Sequence, residues 1–219
     1  MVLYPRKAHV EGALPFDIKL VQAMDPKRIP LPPPQMGFRN EYEDRSEAYT
    51  REIIAENWTI NGKWFTFKSI LTFPYVNNPE LIKSAYLTLH SHLSPGEGNK
   101  VDANSGPNNA FYIRRIDMDW DVYYPQTVTS KSDVYNFGST SEDQVLVPHT
   151  NLKQLDITVD VTALMKKMKN VNASGFMMGF MIELKESSKV LNTRIFYSNQ
   201  YPDNITPDVA KAPRLVINY

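Results

Sequence analysis

The chain has no cysteine, which excludes a disulfide framework, a thiolate metal site and a cysteine nucleophile. It also lacks an excess of either charge, because 24 Lys and Arg residues balance 24 Asp and Glu residues. We therefore expect no nucleic-acid partner. The most apolar window, residues 175–184, is only as long as a strand, and residues 1–20 hold no apolar core of an export signal. We expect no membrane insertion and no visible signal peptide.

The sequence also lacks the common catalytic motifs. It contains no Gly-x-Ser-x-Gly, no His-Glu-x-x-His, no P-loop and no Gly-x-Gly-x-x-Gly, and its four histidines are scattered. Among 24 acidic residues some pair always exists, but nothing singles out one pair as the carboxylates of a glycosidase. We predict that the protein is not an enzyme.

Proline is abundant, with 16 residues concentrated early in the chain. The segment PLPPP at 30–34 is incompatible with a helix or a central strand, and we interpret it as a polyproline-type stretch on the surface. The polar stretch that follows, residues 37–56, predicts a long loop with at most a helical turn. We therefore divide the chain into a free N-terminal arm at 1–14 and one domain at 15–219, with a Pro-rich and acidic insertion at 29–56.

From Trp58 onward the pattern is that of β-strands. In residues 85–92, Ala85, Leu87 and Leu89 alternate with polar residues, which predicts one buried and one outward face. One short helix is predicted at 162–169. Because helices do not separate the strands, we predict an all-β fold: a two-sheet antiparallel β-sandwich, a jelly roll, with one short helix. Further strands are predicted at 65–73, 110–116, 156–161, 176–184, 194–198 and 214–219.

Several separated segments of the chain form one ordered set. Those of the first half are NWTING (57–62), KSILTF (68–73), IKSAYLTL (82–89), DANSG (102–106) and NNAFYIRR (108–115), followed by Trp120. Those of the second half are LDITVDVTAL (155–164), GFMI (179–182), RIFYS (194–198) and APRLVI (212–217). In order and spacing these segments resemble the DNRLRE domain, over residues 17–219. The resemblance implies a jelly-roll β-sandwich of bacterial secreted and cell-surface proteins, some of which are carbohydrate-binding modules. It implies no catalytic residue.

Carbohydrate binding needs exposed, rigid aromatic faces and planar polar groups. Arg114 and Arg115 are candidates to pair with a uronate carboxylate. For each aromatic candidate, packing in the core or at a strand edge is the alternative. The spacing of His90 and His92 also suits a transition metal, but no third ligand is identifiable. The other candidates for ligand binding are Tyr86, Tyr123, Tyr124, Tyr197 and Tyr201.

Three carboxylates alternate along the chain at Asp117, Asp119 and Asp121. Calcium prefers such oxygen ligands, so this run is a candidate site for structural calcium. The alternative is a solvated acidic edge. We expect no other cofactor.

Two hypotheses for function remain open. The first is a non-catalytic surface module that attaches to a polysaccharide or a cell-surface glycan, located outside the cell or on its surface. The alternative is a structural, decoration or fibre protein of a larger assembly such as a phage virion. In that case the N-terminal arm would anchor it, and it would form a homo-oligomer or bind other subunits at the virion surface. An enzyme with a carboxylate pair in a cleft is a third, less favoured reading.

Overall fold

The computed structural model describes residues 2–3, 19–20, 52–60, 62–73, 76, 78–96, 98–116, 143–168, 179–186, 188–198 and 211–219. Within them the chain is mostly β-strand, with one short α-helix and one turn of 3-10 helix. No helix of this part is long and apolar enough to cross a membrane. The strands are β1 (Val2–Leu3), β2 (Lys19–Leu20), β3 (Glu52–Ile60), β4 (Lys63–Phe67), β5 (Ser69–Thr72), β6 (Ser84–Leu89), β7 (Asn104–Ser105), β8 (Phe111–Arg115), β9 (Gln144–Val147), β10 (Ile157–Asp160), β11 (Phe180–Leu184), β12 (Asn192–Tyr197) and β13 (Arg214–Asn218). The helix α1 is Thr162–Lys167, and the 3-10 turn is Pro79–Leu81.

The strands pair into three antiparallel sheets. Sheet A has the order β1-β13-β6-β10, sheet B the order β2-β5-β11-β8-β9, and sheet C the order β4-β3-β12-β7. Sheets A and C are joined by a bridge between Ser91, just after β6, and Phe196 of β12. One cluster of buried apolar side chains draws on all three sheets and on α1. The predicted all-β sandwich with one short helix is confirmed, and its described strands form three sheets where the sequence predicted two.

The alternation predicted for β6 is confirmed on its core side. Ala85, Leu87 and Leu89 are all fully buried and belong to the main core cluster. They face the core because successive side chains of a strand point to opposite sides. On the other side Tyr86 is 39% exposed, whereas Thr88 is only 6% exposed.

Several strand boundaries differ from the sequence prediction, and two of the differences concern the insertion and the arm. Strand β3 begins at Glu52, so residues 52–56 are strand and not the end of a loop. In the arm, Val2 and Leu3 pair with β13 at the edge of sheet A, so these two residues are not free. The rest of the arm and residues 29–51 lie outside the described part.

A buried serine connects sheet B to sheet C. Ser69 of β5 is fully buried, and its Oγ accepts a hydrogen bond from the Ile54 amide at 2.8 Å. The same hydroxyl donates to the Ile54 carbonyl at 3.0 Å. The side chain therefore satisfies both backbone groups of a residue in the other sheet, which fixes the spacing of the two sheets.

Candidate functional site

The bridge between β6 and β12 brings together three residues that the sequence singled out. The Tyr197 amide donates to the His90 carbonyl at 2.8 Å, and the His92 amide donates to the Ile195 carbonyl at 3.0 Å. His90, His92 and Tyr197 therefore meet where sheets A and C join. We call this place the sheet junction.

His90 is paired with a carboxylate that the sequence analysis did not identify. Its Nδ1 donates to Asp156 Oδ2 at 2.9 Å, and the Ser91 amide donates to Asp156 Oδ1 at 2.8 Å. Burial raises the pKa of Asp156, but these two hydrogen bonds and the electrostatic effects of His90 and Lys211 outweigh that increase. The pKa of Asp156 therefore lies below its ordinary value, and the carboxylate is ionised at neutral pH.

His92 is buried, with only 2% of its surface exposed, so it cannot serve as an exposed binding platform. The Ser94 amide donates to its Nδ1 at 3.2 Å, which requires that nitrogen to be unprotonated. Burial lowers the pKa of His92 from 6.5 to about 4, and repulsion from Lys211 acts in the same direction. The ring is neutral at physiological pH, with its proton on Nε2, which lies 3.7 Å from Glu52 Oε1.

Tyr197 is packed on both the histidine and a lysine. Its ring centroid lies 4.1 Å from that of His92, and Lys211 Nζ lies 5.1 Å from the Tyr197 centroid. The Tyr197 hydroxyl accepts a hydrogen bond from the Leu93 amide at 3.2 Å. The aromatic ring of Tyr197 is thus largely engaged inside the protein, in contrast to that of Tyr86.

The outward side of strands β6 and β10 carries a row of mostly polar side chains, of which Thr88 is nearly buried. Residues directly opposite each other in an antiparallel pair share one face. Tyr86 lies opposite Asp160, and Thr88 lies opposite Thr158, with their hydroxyl oxygens 3.1 Å apart. The β6–β10 face, as we name it, ends at the sheet junction. It consists of Tyr86, Thr88 and His90 with Asp160, Thr158 and Asp156 opposite them.

The two candidate arginines lie far from this face, on sheet B, and both are neutralised within the protein. Arg114 pairs with Glu183 at 2.5 Å and lies 4.6 Å from the centroid of the Tyr112 ring. Arg115 is 7% exposed and pairs with Asp143 at 2.6 Å. A uronate would have to displace an internal carboxylate in order to reach either guanidinium.

The remaining candidates fall outside the described residues. They are Tyr123, Tyr124, Tyr201 and the run Asp117, Asp119 and Asp121. Within the described part, no three His, Asp or Glu side chains lie close enough together to hold a metal ion. The calcium site at 117–121 remains a prediction.

Sequence reasoning missed Asp156, Lys211 and Glu52 at the sheet junction. For Asp156 a signal was present: the β6–β10 register pairs Leu89 with Ile157, and continuing it by one residue places Asp156 opposite His90. No local pattern points to Lys211 or Glu52, because both reach the junction through long-range packing.

Comparison with known proteins gives no assignment. No protein-family model matches the sequence, and no curated protein matches it at a significant level. The resemblance to the DNRLRE domain therefore stays a prediction, and so does the carbohydrate-binding role that it implies.

Proposed function

We propose that this chain is a non-catalytic surface module that attaches to a polysaccharide or cell-surface glycan through the β6–β10 face. It would act outside the cell or on its surface. The observation that carries the proposal is the exposed side chain of Tyr86, 39% accessible, on a sheet face that continues into hydrogen-bonding side chains. A sugar needs an aromatic ring for its C–H face and polar groups for its hydroxyls.

The polar groups of the face suit the hydroxyl groups of a sugar. Asp156, Thr158 and Asp160 are exposed and provide carboxylate and hydroxyl oxygens along one strand. Asp160 Oδ1 already accepts the Thr162 amide at 2.8 Å, so its side chain is held in place before any ligand arrives. Pre-positioned groups bind with a smaller loss of conformational entropy.

The experiment is isothermal titration of the full chain with a panel of neutral and uronate polysaccharides. For a ligand that binds, Tyr86→Ala should weaken affinity by about tenfold, equivalent to about 1.4 kcal/mol, because the stacking ring is lost. The matched control is Tyr219→Ala. It removes the same side chain at a position 46% exposed. Tyr219 lies just after the end of β13, three residues beyond Val216, the residue opposite Tyr86.

The outcomes separate clearly. Loss of binding in Tyr86→Ala with normal binding in Tyr219→Ala supports the proposal. Absence of saturable binding by the wild-type chain to every polysaccharide in the panel would refute it. Equal affinity of Tyr86→Ala and wild type would refute the β6–β10 face as the site.

One observation favours the alternative, a structural or attachment subunit of a larger assembly such as a virion. Val2 and Leu3 of the arm pair with Val216 and Leu215, which adds a strand to the edge of sheet A. The same pairing is available to the arm of a neighbouring copy, since exchange of an identical strand is a common route to oligomers.

Deletion of residues 1–14 tests this alternative. If arms join copies, the full chain should show an oligomeric mass by light scattering, and the truncated chain should be a monomer. Glycan binding by the truncated chain should be unchanged, because the β6–β10 face does not include the arm. An identical mass for both chains would contradict the alternative.

A further inference from the structure

A segment without strand structure, residues 148–153, is held in place by side chains of the neighbouring elements. It follows β9 directly, and alternate carbonyl groups along it accept hydrogen bonds from side chains. These side chains therefore replace the backbone partner that a strand would have. The bonds are Arg194 Nη2 to Pro148 O at 2.7 Å, Asn109 Nδ2 to Thr150 O at 3.0 Å, and Asn104 Nδ2 to Leu152 O at 3.0 Å.

Arg194 is the central residue of this arrangement. It is fully buried, its Nε donates to the Asn109 carbonyl at 3.1 Å, and its guanidinium carbon lies 5.3 Å from the centroid of Phe111. No carboxylate lies within ion-pair distance of it in the described part of the chain. Its Nη1 is buried and makes no hydrogen bond with any described residue.

The neighbouring strand supplies the complementary atom. Asn104 of β7 lies directly opposite Arg194 of β12, so their side chains share one face of sheet C. Asn104 is 4% exposed, and its Oδ1 is likewise buried and has no hydrogen-bond partner among the described residues. A buried donor and a buried acceptor, both unsatisfied, thus stand in cross-strand neighbouring positions.

We propose that one buried water molecule binds between Arg194 Nη1 and Asn104 Oδ1. Water is the ligand that can accept from the first atom and donate to the second. Buried polar groups left unsatisfied by the protein typically bind such waters. An anion does not fit, because the Asn104 oxygen would repel it. The water completes the hydrogen bonding of Arg194, the charged donor that binds the Pro148 carbonyl.

The test uses the full-length chain labelled with nitrogen-15. We expect magnetisation transfer from a long-lived water to the Arg194 side-chain N–H groups in the wild type, and loss of that signal in Asn104→Leu. The matched control is Asn108→Leu, a nearby asparagine whose Nδ2 donates to Glu186. This control should keep the signal.

Crystallography of the wild type gives a second, independent readout that does not depend on the folding of a variant. A water peak within hydrogen-bond distance of both atoms supports the proposal. A direct hydrogen bond between Arg194 and Asn104, or an anion whose occupancy follows the salt concentration, would overturn it. So would a water signal that persists in Asn104→Leu.

Discussion

Two substitutions of Arg194 allow the burial of its charge to be separated from its hydrogen bonds. Arg194→Met removes both the charge and the donors, while keeping much of the volume. Arg194→Lys keeps the charge but loses the planar fork, which reaches two carbonyl groups at once. We expect the lysine variant to be the less stable of the two, although it is the more conservative change.

The magnitudes follow from the contacts. Burial lowers the pKa of Arg194 from 12.5 to about 10, which corresponds to a cost on the order of 3 kcal/mol for keeping the charge inside. Each hydrogen bond from a charged donor contributes about 1.5–3 kcal/mol. Arg194→Met loses two such bonds but also removes the burial cost, so we expect a net destabilisation of about 2 kcal/mol. Arg194→Lys keeps the cost of burying a charge and retains at most one of the two hydrogen bonds, so we expect a destabilisation of about 3–4 kcal/mol.

The assay is urea unfolding. The free energies of unfolding are compared between variants that have the same dependence on urea concentration, because their unfolded states are then equivalent. Lys153→Met is the control. It removes a lysine that is 76% exposed and paired with Asp102 only at 3.4 Å, and it should change stability by less than about 1 kcal/mol. A lysine variant more stable than the methionine variant would refute the reasoning.

Three further predictions concern stability. Burial lowers the pKa of His92 from 6.5 to about 4, so between these two pH values the unfolded chain binds a proton at His92 that the native state does not. The free energy of unfolding should therefore fall as the pH drops from 6.5 to about 4. The fall should be smaller in His92→Asn, measured by urea unfolding at each pH. Gly106→Ala should destabilise by more than about 2 kcal/mol, because φ is +91° and a Cβ would meet the Leu191 carbonyl. Gly62→Ala, also at positive φ but with open space around it, should lose only about 1 kcal/mol in thermal unfolding; equal losses would contradict the steric argument. Ser69→Ala should cost about 1–3 kcal/mol by leaving two buried backbone groups without a partner, and an unchanged unfolding midpoint would contradict this.

The core side of β6 was predictable from the sequence, whereas the start of β3 was not. Ala85, Leu87 and Leu89 carry a local signal, since apolar and polar residues alternate. The first part of β3 has no such alternation, because residues 52–57 are all buried, and Glu52 and Glu56 look like exposed residues but are 5% and 1% exposed. Their burial results from packing that a local pattern does not contain.

The candidate site could be predicted only in part, again because a local sequence pattern does not contain long-range packing. The choice of His90, His92 and Tyr197 rested on residue type, and the bridge between β6 and β12 brings them together. The burial of His92 follows from its contacts with Tyr197 and with Ser94, and the first of these lies more than a hundred residues along the chain. Arg194 gave no signal, because its partners are carbonyl groups, which every residue has.

The way in which residues 148–153 are held has a consequence for mutational tolerance. A backbone ladder accepts most side chains on either strand, whereas here the donors are side chains and the acceptors are carbonyl groups. Substitutions should therefore be poorly tolerated at Asn104, Asn109 and Arg194, yet well tolerated at Leu152, whose side chain is 58% exposed and whose carbonyl alone accepts the bond. In a scan of all substitutions, the residues that hold the segment would be restricted, whereas Leu152 within the segment would be comparatively free to change.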